Sequence, residues 1–178
     1  MHKEVMTFCK GIKEKYKEHF KKGISVLDVG SLDINGTNKY LFEDITESYF
    51  GIDVIEGKNV DIIGIAHTLN LEPNQFDIII STNALEHDMY YKQTIAKMIE
   101  WLKPGGLLII SVAGSWPEHG TKQHQPGVSG TSKISEEWAN YYKNITVNDL
   151  KLELLPELFT IYELDEFRSD TRFVGVKK

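Results

Sequence analysis

The chain has 178 residues, 41% of them hydrophobic and 26% charged, which is the composition of an ordinary globular protein with a real core. Its net charge of −6 argues against a nucleic acid as the main partner. The single cysteine, Cys9, excludes an intramolecular disulfide and favours a reducing cytoplasm, and no apolar run approaches the ~18 residues that span a membrane.

A basic, amphipathic segment comes first. Residues 1–22 carry seven lysines and three acids. Apolar residues recur there at three-to-four spacing, which predicts a helix over 3–21 that docks on the core and leaves its lysines in solvent. An arm that binds nucleic acid or an anionic surface is the alternative. The apolar residues of this face are Val5, Phe8, Cys9, Ile12, Tyr16 and Phe20.

Strands and helices then alternate, which predicts a doubly wound α/β fold. The central strands are continuous apolar runs, typical of a parallel sheet covered by helices on both faces. The turn at 168–170 predicts an antiparallel closing pair, so we expect a mostly parallel, seven-stranded sheet with an antiparallel final strand. Predicted strands cover 24–29, 48–53, 60–64, 76–81, 107–112, 158–164 and 171–177, and predicted helices lie near 36–43 and 89–102.

Residues 113–133, which we call the lid segment, interrupt this alternation. They contain four glycines, two prolines and two histidines. A long irregular segment inside a compact domain is more often a functional lid or a mobile loop than a plain connection. Two helical pieces follow, the first capped by Ser135 and the second opened by Thr146 and Asp149, which resemble a capping box.

The first predicted strand runs directly into a Gly/Asn/Asp loop at 30–36, and the second strand ends in Asp53 about twenty residues later. In an α/β sheet this pairing builds a nucleotide pocket, because loop amides face the ligand and the carboxylate accepts the ribose hydroxyls. The sequence therefore predicts an adenosine-containing cofactor.

Five motifs in order identify the cofactor more closely. They are Val26-Leu27-Asp28-Val29-Gly30, Gly51-Ile52-Asp53, Phe76-Asp77-Ile78-Ile79-Ile80-Ser81, Leu85-Glu86-His87 and Leu102-Lys103-Pro104-Gly105-Gly106. Over residues 24–113 the chain resembles the class I S-adenosylmethionine-dependent methyltransferases, in the small type 11 branch. The resemblance implies a Rossmann-like fold and one methyltransferase domain over 1–178. It also implies S-adenosylmethionine as cofactor, S-adenosylhomocysteine as product and a small-molecule or sugar-like acceptor. Whether the protein forms a homodimer stays open.

The resemblance also implies cofactor-binding residues. Asp28 would bond loop amides or the cofactor's amino group, Gly30 would let the backbone approach the ligand, and Asp53 would accept both ribose hydroxyls. Two carboxylates also suit a ligand that carries a sulfonium and an ammonium group. The loop departs from the family's Gly-x-Gly-x-Gly, since Ser31 follows the first glycine. We expect the amide of Ser31 to serve the cofactor all the same.

The remaining cofactor contacts follow the third and fourth strands. Ile65 stands where the family usually has the acid that contacts adenine, so we expect Ala66 and His67 to hold the adenine. Ligands of open α/β sheets lie outside the carboxyl ends of the strands. Ser81 and Thr82 should therefore edge the methionine part of the cofactor.

Histidines are the candidate catalytic residues. His119 and His87 would lie near the acceptor and could take its proton, if it has one to lose. A solvated loop residue is the alternative for His119, and packing at a helix start is the alternative for His87. His119 and His124 could also ligate a metal with a carboxylate, but this signal is nonspecific and we predict no metal site.

Two other functions compete with methyl transfer. A nicotinamide dehydrogenase should show Gly-x-Gly-x-x-Gly, which the loop lacks. A non-catalytic Rossmann-like module that binds a cofactor or a partner is motivated by the altered loop and by the missing adenine acid.

Overall fold

A computed structural model describes residues 2–154 and 156–178, without the side chain of Pro156. Seven strands form one sheet in the order β3-β2-β1-β4-β5-β7-β6. The strands are β1 (Ile24–Val29), β2 (Thr46–Asp53), β3 (Ile62–Ile63), β4 (Phe76–Thr82), β5 (Leu102–Ala113), β6 (Phe159–Phe167) and β7 (Asp170–Lys177).

The strand directions match the predicted fold class. The first five strands pair in parallel, and β7 runs antiparallel to both β5 and β6. Because β1 lies between β2 and β4, the strand order reverses beside β1, and this switch point opens a crevice at the carboxyl edge of the sheet. The predicted Rossmann-like, mostly parallel seven-stranded sheet with an antiparallel final strand is confirmed.

Helices cover both faces of this sheet. They are α1 (Lys3–Lys15), α2 (Tyr91–Trp101), α3 (Glu136–Ala139) and α4 (Val147–Leu154), with single 3₁₀ turns at Lys39–Leu41, Ala66–Thr68, Leu85–His87, Gly130–Lys133 and Pro156–Leu158. Within the described residues, none of the helices has the length and apolar character that a membrane crossing requires.

Side chains of the central strands alternate between two hydrophobic cores, one on each face of the sheet. On one face Val26 and Ile80 pack with the apolar side of α1. On the other face Leu27 and Ile79 pack with residues of α2 and α4. Successive side chains of a strand point to opposite faces, so strands that are apolar throughout need a covering layer on both sides.

The N-terminal helix is shorter than the predicted 3–21. It ends at Lys15, because the backbone of Tyr16 leaves the helical region at φ −110 and ψ 35. The buried ring of Tyr16 stays on the core, and its hydroxyl donates to Glu163 on β6. Phe20 still reaches the core and stacks on Phe42, with ring centroids 5.5 Å apart. The chain therefore stays buried as far as Phe20, although the helix ends at Lys15.

The predicted helix near 36–43 is only the 3₁₀ turn Lys39–Leu41. Gly36 has a φ of 135, outside the helical region. The hydroxyl of Thr37 accepts from the amide of Lys39, and Asn38 donates to Thr82 over 2.9 Å. The local polar side chains thus hold this segment as a turn beside the end of β4.

The packing of α1 on the core predicts that the thiol of Cys9 reacts slowly in the folded protein. Burial, followed by the nearby negative charge of Asp28, raises the pKa of Cys9 to about 12. The thiol is 1% exposed and should resist an aromatic disulfide reagent at pH 8, then react fully in denaturant. The absorbance of the released reagent, followed over time, gives the reaction rate in the native and in the denatured protein, and its final value gives the number of thiols that react. A Cys9→Ala/Thr7→Cys variant, with its thiol on the exposed face of α1, should react at once. Fast, stoichiometric reaction of native Cys9 would show that α1 is not docked.

Candidate functional site

One cavity of about 500 Å³ opens at the carboxyl ends of β1, β2 and β4, where the switch point lies. The loops after these strands form its floor, and the lid segment forms its roof. Of the predicted site residues, Asp28, Gly30, Ser31, Asp53, Ala66, Thr82, His87 and His119 line it.

Asp28 is a buried carboxyl at the end of β1. Its Oδ2 accepts from the hydroxyl of Tyr49 at 2.5 Å. Burial raises the pKa of Asp28 to about 7; the Tyr49 hydrogen bond opposes this rise, and the negative charge of Asp53 adds to it. The carboxyl is therefore poised to ionise when a cation enters the cavity.

Gly30 is required at its position for two reasons. Its φ is 82, and a Cβ placed there would lie 2.1 Å from the Cβ of Ala84. The amides of Gly30 and Ser31 both donate to the carbonyl of Ile52, over 2.8 and 3.0 Å. The amide of Ser31 is therefore already engaged in a backbone hydrogen bond, and its service to the cofactor stays a prediction. The buried hydroxyl of Ser31, in contrast, has no hydrogen-bond partner among the described residues and lines the cavity.

Asp53 ends β2 across the cavity floor from Asp28. Its carboxylate accepts from the amide of Leu32 at 3.1 Å and from the amide of Val54 at 2.8 Å. Burial raises its pKa, and the backbone hydrogen bonds oppose this rise. A carboxylate has about four acceptor positions, so Asp53 can also accept from ligand hydroxyl groups.

The residues after β3 and β4 divide into those that reach the cavity and those that do not. Ala66 and Thr82 line it. His67 is absent from the lining, and its ring packs on Tyr90 with centroids 4.6 Å apart. Ser81 is also absent, because it is fully buried and donates to the carbonyl of Val29 at 2.8 Å. The structure therefore does not bring His67 or Ser81 to the expected ligand.

Two histidines meet at the other end of the cavity. The rings of His87 and His119 lie edge to face, 5.3 Å apart, and Tyr142 contacts both. Burial, and then the proximity of His119, lower the pKa of His87 to about 4. His87 is therefore a neutral imidazole at physiological pH. The Nδ1 of His119 lies 2.9 Å from the carbonyl of Pro117, so this nitrogen carries a proton, and in the neutral ring Nε2 keeps the lone pair.

Glu86 lies beside this pair and is fully buried. Neither carboxylate oxygen has a hydrogen bond within the described residues. Burial raises the pKa of Glu86 to about 7, and the charge of Asp170 adds to this rise. The amides of Glu86 and Ala113 and the side chain of Asn83 lie near enough to oppose it, although none of them has the geometry of a hydrogen bond to the carboxylate.

The lid segment contacts the rest of the protein near both of its ends. Near its start, the indole of Trp116 donates to Asp170 at 2.8 Å, and His2 contacts the other oxygen of that carboxylate at 2.8 Å. Near its end, a Cβ on Gly130 would lie 3.1 Å from Oδ1 of Asp53. In between, Gly120 has a φ of 67 and passes so close to His87 that a Cβ would meet its ring at 2.5 Å. The lid segment therefore packs directly on both ends of the site.

Sequence reasoning missed Tyr49, Asn38 and Gly130, which act on site residues from a distance along the chain. Tyr49 sits two residues before the Gly51-Ile52-Asp53 motif and Asn38 inside an assumed helix. No local pattern links Gly130 to Asp53. Only the register of β1 against β2, with Asp28 opposite Gly51, brings Tyr49 near Asp28.

The comparisons with known proteins agree with this geometry. A family model described as a methyltransferase domain, of type 11, matches residues 27–110. A stretch of 108 residues is 32% identical to (S)-coclaurine N-methyltransferase from Papaver somniferum and covers 53% of this chain and 31% of that protein. The chain thus spans about a third of the length of the curated relative it matches.

Solved structures share the fold at low identity. One is 1,6-didemethyltoxoflavin-N1-methyltransferase from Burkholderia thailandensis, solved with bound 1,6-didemethyltoxoflavin and S-adenosylhomocysteine. Its TM-score is 0.65 at 16% sequence identity, and the match covers 95% of this chain and 76% of that chain. Phosphoethanolamine N-methyltransferase 2 from Haemonchus contortus, in complex with phosphomonomethylethanolamine and S-adenosylhomocysteine, has a TM-score of 0.65 at 15% identity and covers 96% of this chain and 53% of that chain.

Three independent observations thus agree: the strand order, the acid-lined cavity at the switch point and the matched residues 27–110. The predicted resemblance is confirmed: residues 27–110 match a methyltransferase domain, and the chain shares its fold with methyltransferases whose structures hold S-adenosylhomocysteine.

Proposed function

We propose that the protein transfers a methyl group from S-adenosylmethionine to a small-molecule acceptor. The observation that carries this proposal is a pair of carboxyls, the buried Asp28 and the half-buried Asp53, at the ends of neighbouring strands that line one cavity. A cofactor with an ammonium, a sulfonium and two ribose hydroxyls offers each of these groups a partner.

The cofactor end of the cavity fits such a ligand. Asp53 can accept from the ribose hydroxyls, and Asp28 faces the ammonium. The buried Ser31 hydroxyl has no partner in the described structure and gains one from the ligand. Ala66 offers an apolar surface to the adenine. Thr82 lies between the two ends of the cavity, at the end of β4.

The acceptor end is formed by His87, His119 and Trp116, which all line the cavity. S-adenosylmethionine supplies a methyl group that is already activated by its sulfonium, so the protein mainly has to align the acceptor and exclude water. Trp116 and the histidine rings provide flat surfaces that position an acceptor. When the acceptor carries a proton, Nε2 of His119 has the lone pair to receive it. His87 stays neutral beside His119 and adds no positive charge to oppose that transfer.

The covered cavity favours a small acceptor over a macromolecule. The lid segment packs against Asp53 through Gly130 and against His87 through Gly120. A volume of about 500 Å³ lies within the range of pockets for small ligands. The matched relative is named as an N-methyltransferase of coclaurine, which is consistent with a small nitrogen-bearing acceptor for this protein.

Replacement of Asp53 tests the ribose contact. An Asp53→Asn variant should bind S-adenosylhomocysteine about 10- to 100-fold more weakly, because the amide group cannot accept from two backbone amides and two hydroxyls at once. Titration calorimetry measures the affinity. Asp44→Asn, at an exposed position outside the cavity, makes the same charge change and should bind as the parent does. Equal binding by Asp53→Asn would refute this role, and no binding by the parent protein would favour a non-catalytic module.

The raised pKa of Asp28 predicts a pH dependence of binding. Its carboxyl is mostly neutral at pH 6 and mostly ionised at pH 8, since its pKa is about 7. Affinity for the positively charged amino group of S-adenosylhomocysteine should therefore rise about tenfold between these pH values. Calorimetry at several pH values measures the rise.

An Asp28→Asn variant is the control for this titration. It should bind weakly at every pH and lose the dependence. A rise that survives in Asp28→Asn would contradict the assignment and would place the titration elsewhere, with Glu86 as the buried carboxyl of similar pKa.

A further inference from the structure

We propose that Glu86, His87 and His119 form a binding site for one divalent transition-metal ion of the zinc class. Each side chain offers one ligand atom, and these three atoms all lie within 4.8 Å of one another. Two imidazoles and a carboxylate are a ligand set that Zn²⁺ accepts, whereas Mg²⁺ prefers oxygen ligands alone.

The buried polar groups of this cluster lack partners. Glu86 is fully buried, and neither of its oxygens accepts a hydrogen bond within the described structure. His87 is 4% exposed, and its Nδ1 likewise has no partner there. A buried carboxylate that is not fully hydrogen-bonded is costly, and a cation held by it reduces that cost. The cluster therefore offers a cation a buried carboxylate and an unpartnered imidazole nitrogen.

His119 is oriented as a ligand. Its Nδ1 proton points at the Pro117 carbonyl, 2.9 Å away. A hydrogen bond of this kind fixes the tautomer and presents Nε2 to a metal, as metal-bound histidines usually do. His119 comes from the lid segment, whereas Glu86 and His87 come from the 3₁₀ turn after β4. The site is therefore assembled from two parts of the chain.

Metal binding requires a small inward movement. Ligand atoms of a tetrahedral zinc site lie about 3.3 Å apart, which follows from metal–ligand distances of about 2.0–2.1 Å. The cluster spans up to 4.8 Å, so the lid segment would bring His119 closer to the turn. The glycine at 120 already lets the lid backbone touch the ring of His87.

Metal binding has a consequence for catalysis, although the site itself does not depend on the proposed function. A metal bound to Nε2 of His119 uses the lone pair that would take the acceptor's proton. The two roles exclude each other, so loading the site removes that base. Binding of S-adenosylhomocysteine uses the other end of the cavity and should persist in the metal-loaded protein.

Direct binding to chelator-treated full-length protein tests the proposal. We expect one Zn²⁺ per chain by calorimetry and by metal analysis after desalting, tetrahedral visible absorption with Co²⁺, and no binding of Mg²⁺. Glu86→Gln, His87→Gln and His119→Gln should each weaken Zn²⁺ binding more than about tenfold. Far-ultraviolet circular dichroism checks that each variant is folded.

His124→Gln is the matched control, because His124 lies on the same lid segment but is exposed and outside the cluster. It should bind Zn²⁺ as the parent does. The proposal is overturned if the parent binds no Zn²⁺, or if binding survives in the His119→Gln variant. Loss of Zn²⁺ binding in the control would also overturn it. Since these readouts need no cofactor, they can fail while S-adenosylhomocysteine still binds, and the reverse also holds.

Discussion

A buried carboxyl and a half-buried carboxyl lie at the ends of the neighbouring strands β1 and β2, and the rest of the site is arranged around this constraint. Asp28 is held by the Tyr49 hydroxyl and Asp53 by the amides of Leu32 and Val54. Burial raises the pKa of both groups, and the charge of Asp53 raises the pKa of Asp28 further. Such an arrangement is costly in the free protein. Under the function proposed above, a cationic, hydroxyl-bearing cofactor relieves this cost.

The sheet maintains this arrangement because its central strands are buried on both faces. Val26 and Leu27, adjacent in sequence, point into different cores, one covered by α1 and the other by α2 and α4. A shift of one residue would exchange the two faces and move Asp28 away from Tyr49. The two-sided core therefore fixes the position of the carboxyl as well as the stability of the sheet.

The lid segment completes the site from outside the matched family region. Its contacts with Asp170 and Asp53 hold an irregular chain over the cavity, and Gly120 and Gly130 allow the close approach. His119 reaches His87 only through this packing. The proposed acceptor end therefore includes Trp116 and His119, which lie outside the matched residues 27–110.

Much of the fold could be predicted from local patterns. Apolar runs located the strands, and the capping residues Ser135 and Thr146 located two short helices, since both accept backbone hydrogen bonds at the helix starts. The helix over 36–43 failed because Thr37 and Asn38 form their own hydrogen bonds. The helix predicted over 3–21 was too long, because apolar spacing indicates which residues are buried and does not determine where the helical backbone ends, here at Lys15.

The site was predictable to the extent that motif position determines which side chains reach the cavity. Asp28, Gly30 and Asp53 end their strands at the switch point, so their place follows from strand order alone. The Ser31 amide, Ser81 and His67 depend on details that motifs do not contain: a carbonyl at Ile52, a carbonyl at Val29 and the ring of Tyr90. Each of these partners is distant along the chain and became a neighbour only on folding.

The sequence by itself determined the fold class, the family resemblance and the place of Asp28 and Asp53 at the cavity, because these depend on apolar periodicity and on residues at strand ends. The tertiary structure alone decided which donors stay free and which distant side chains meet. Glu86 and His87 join His119 across more than thirty residues, and Gly130 meets Asp53 across more than seventy. Contacts of this kind arise from packing of the lid segment on the sheet, and spacing along the chain carries no record of them.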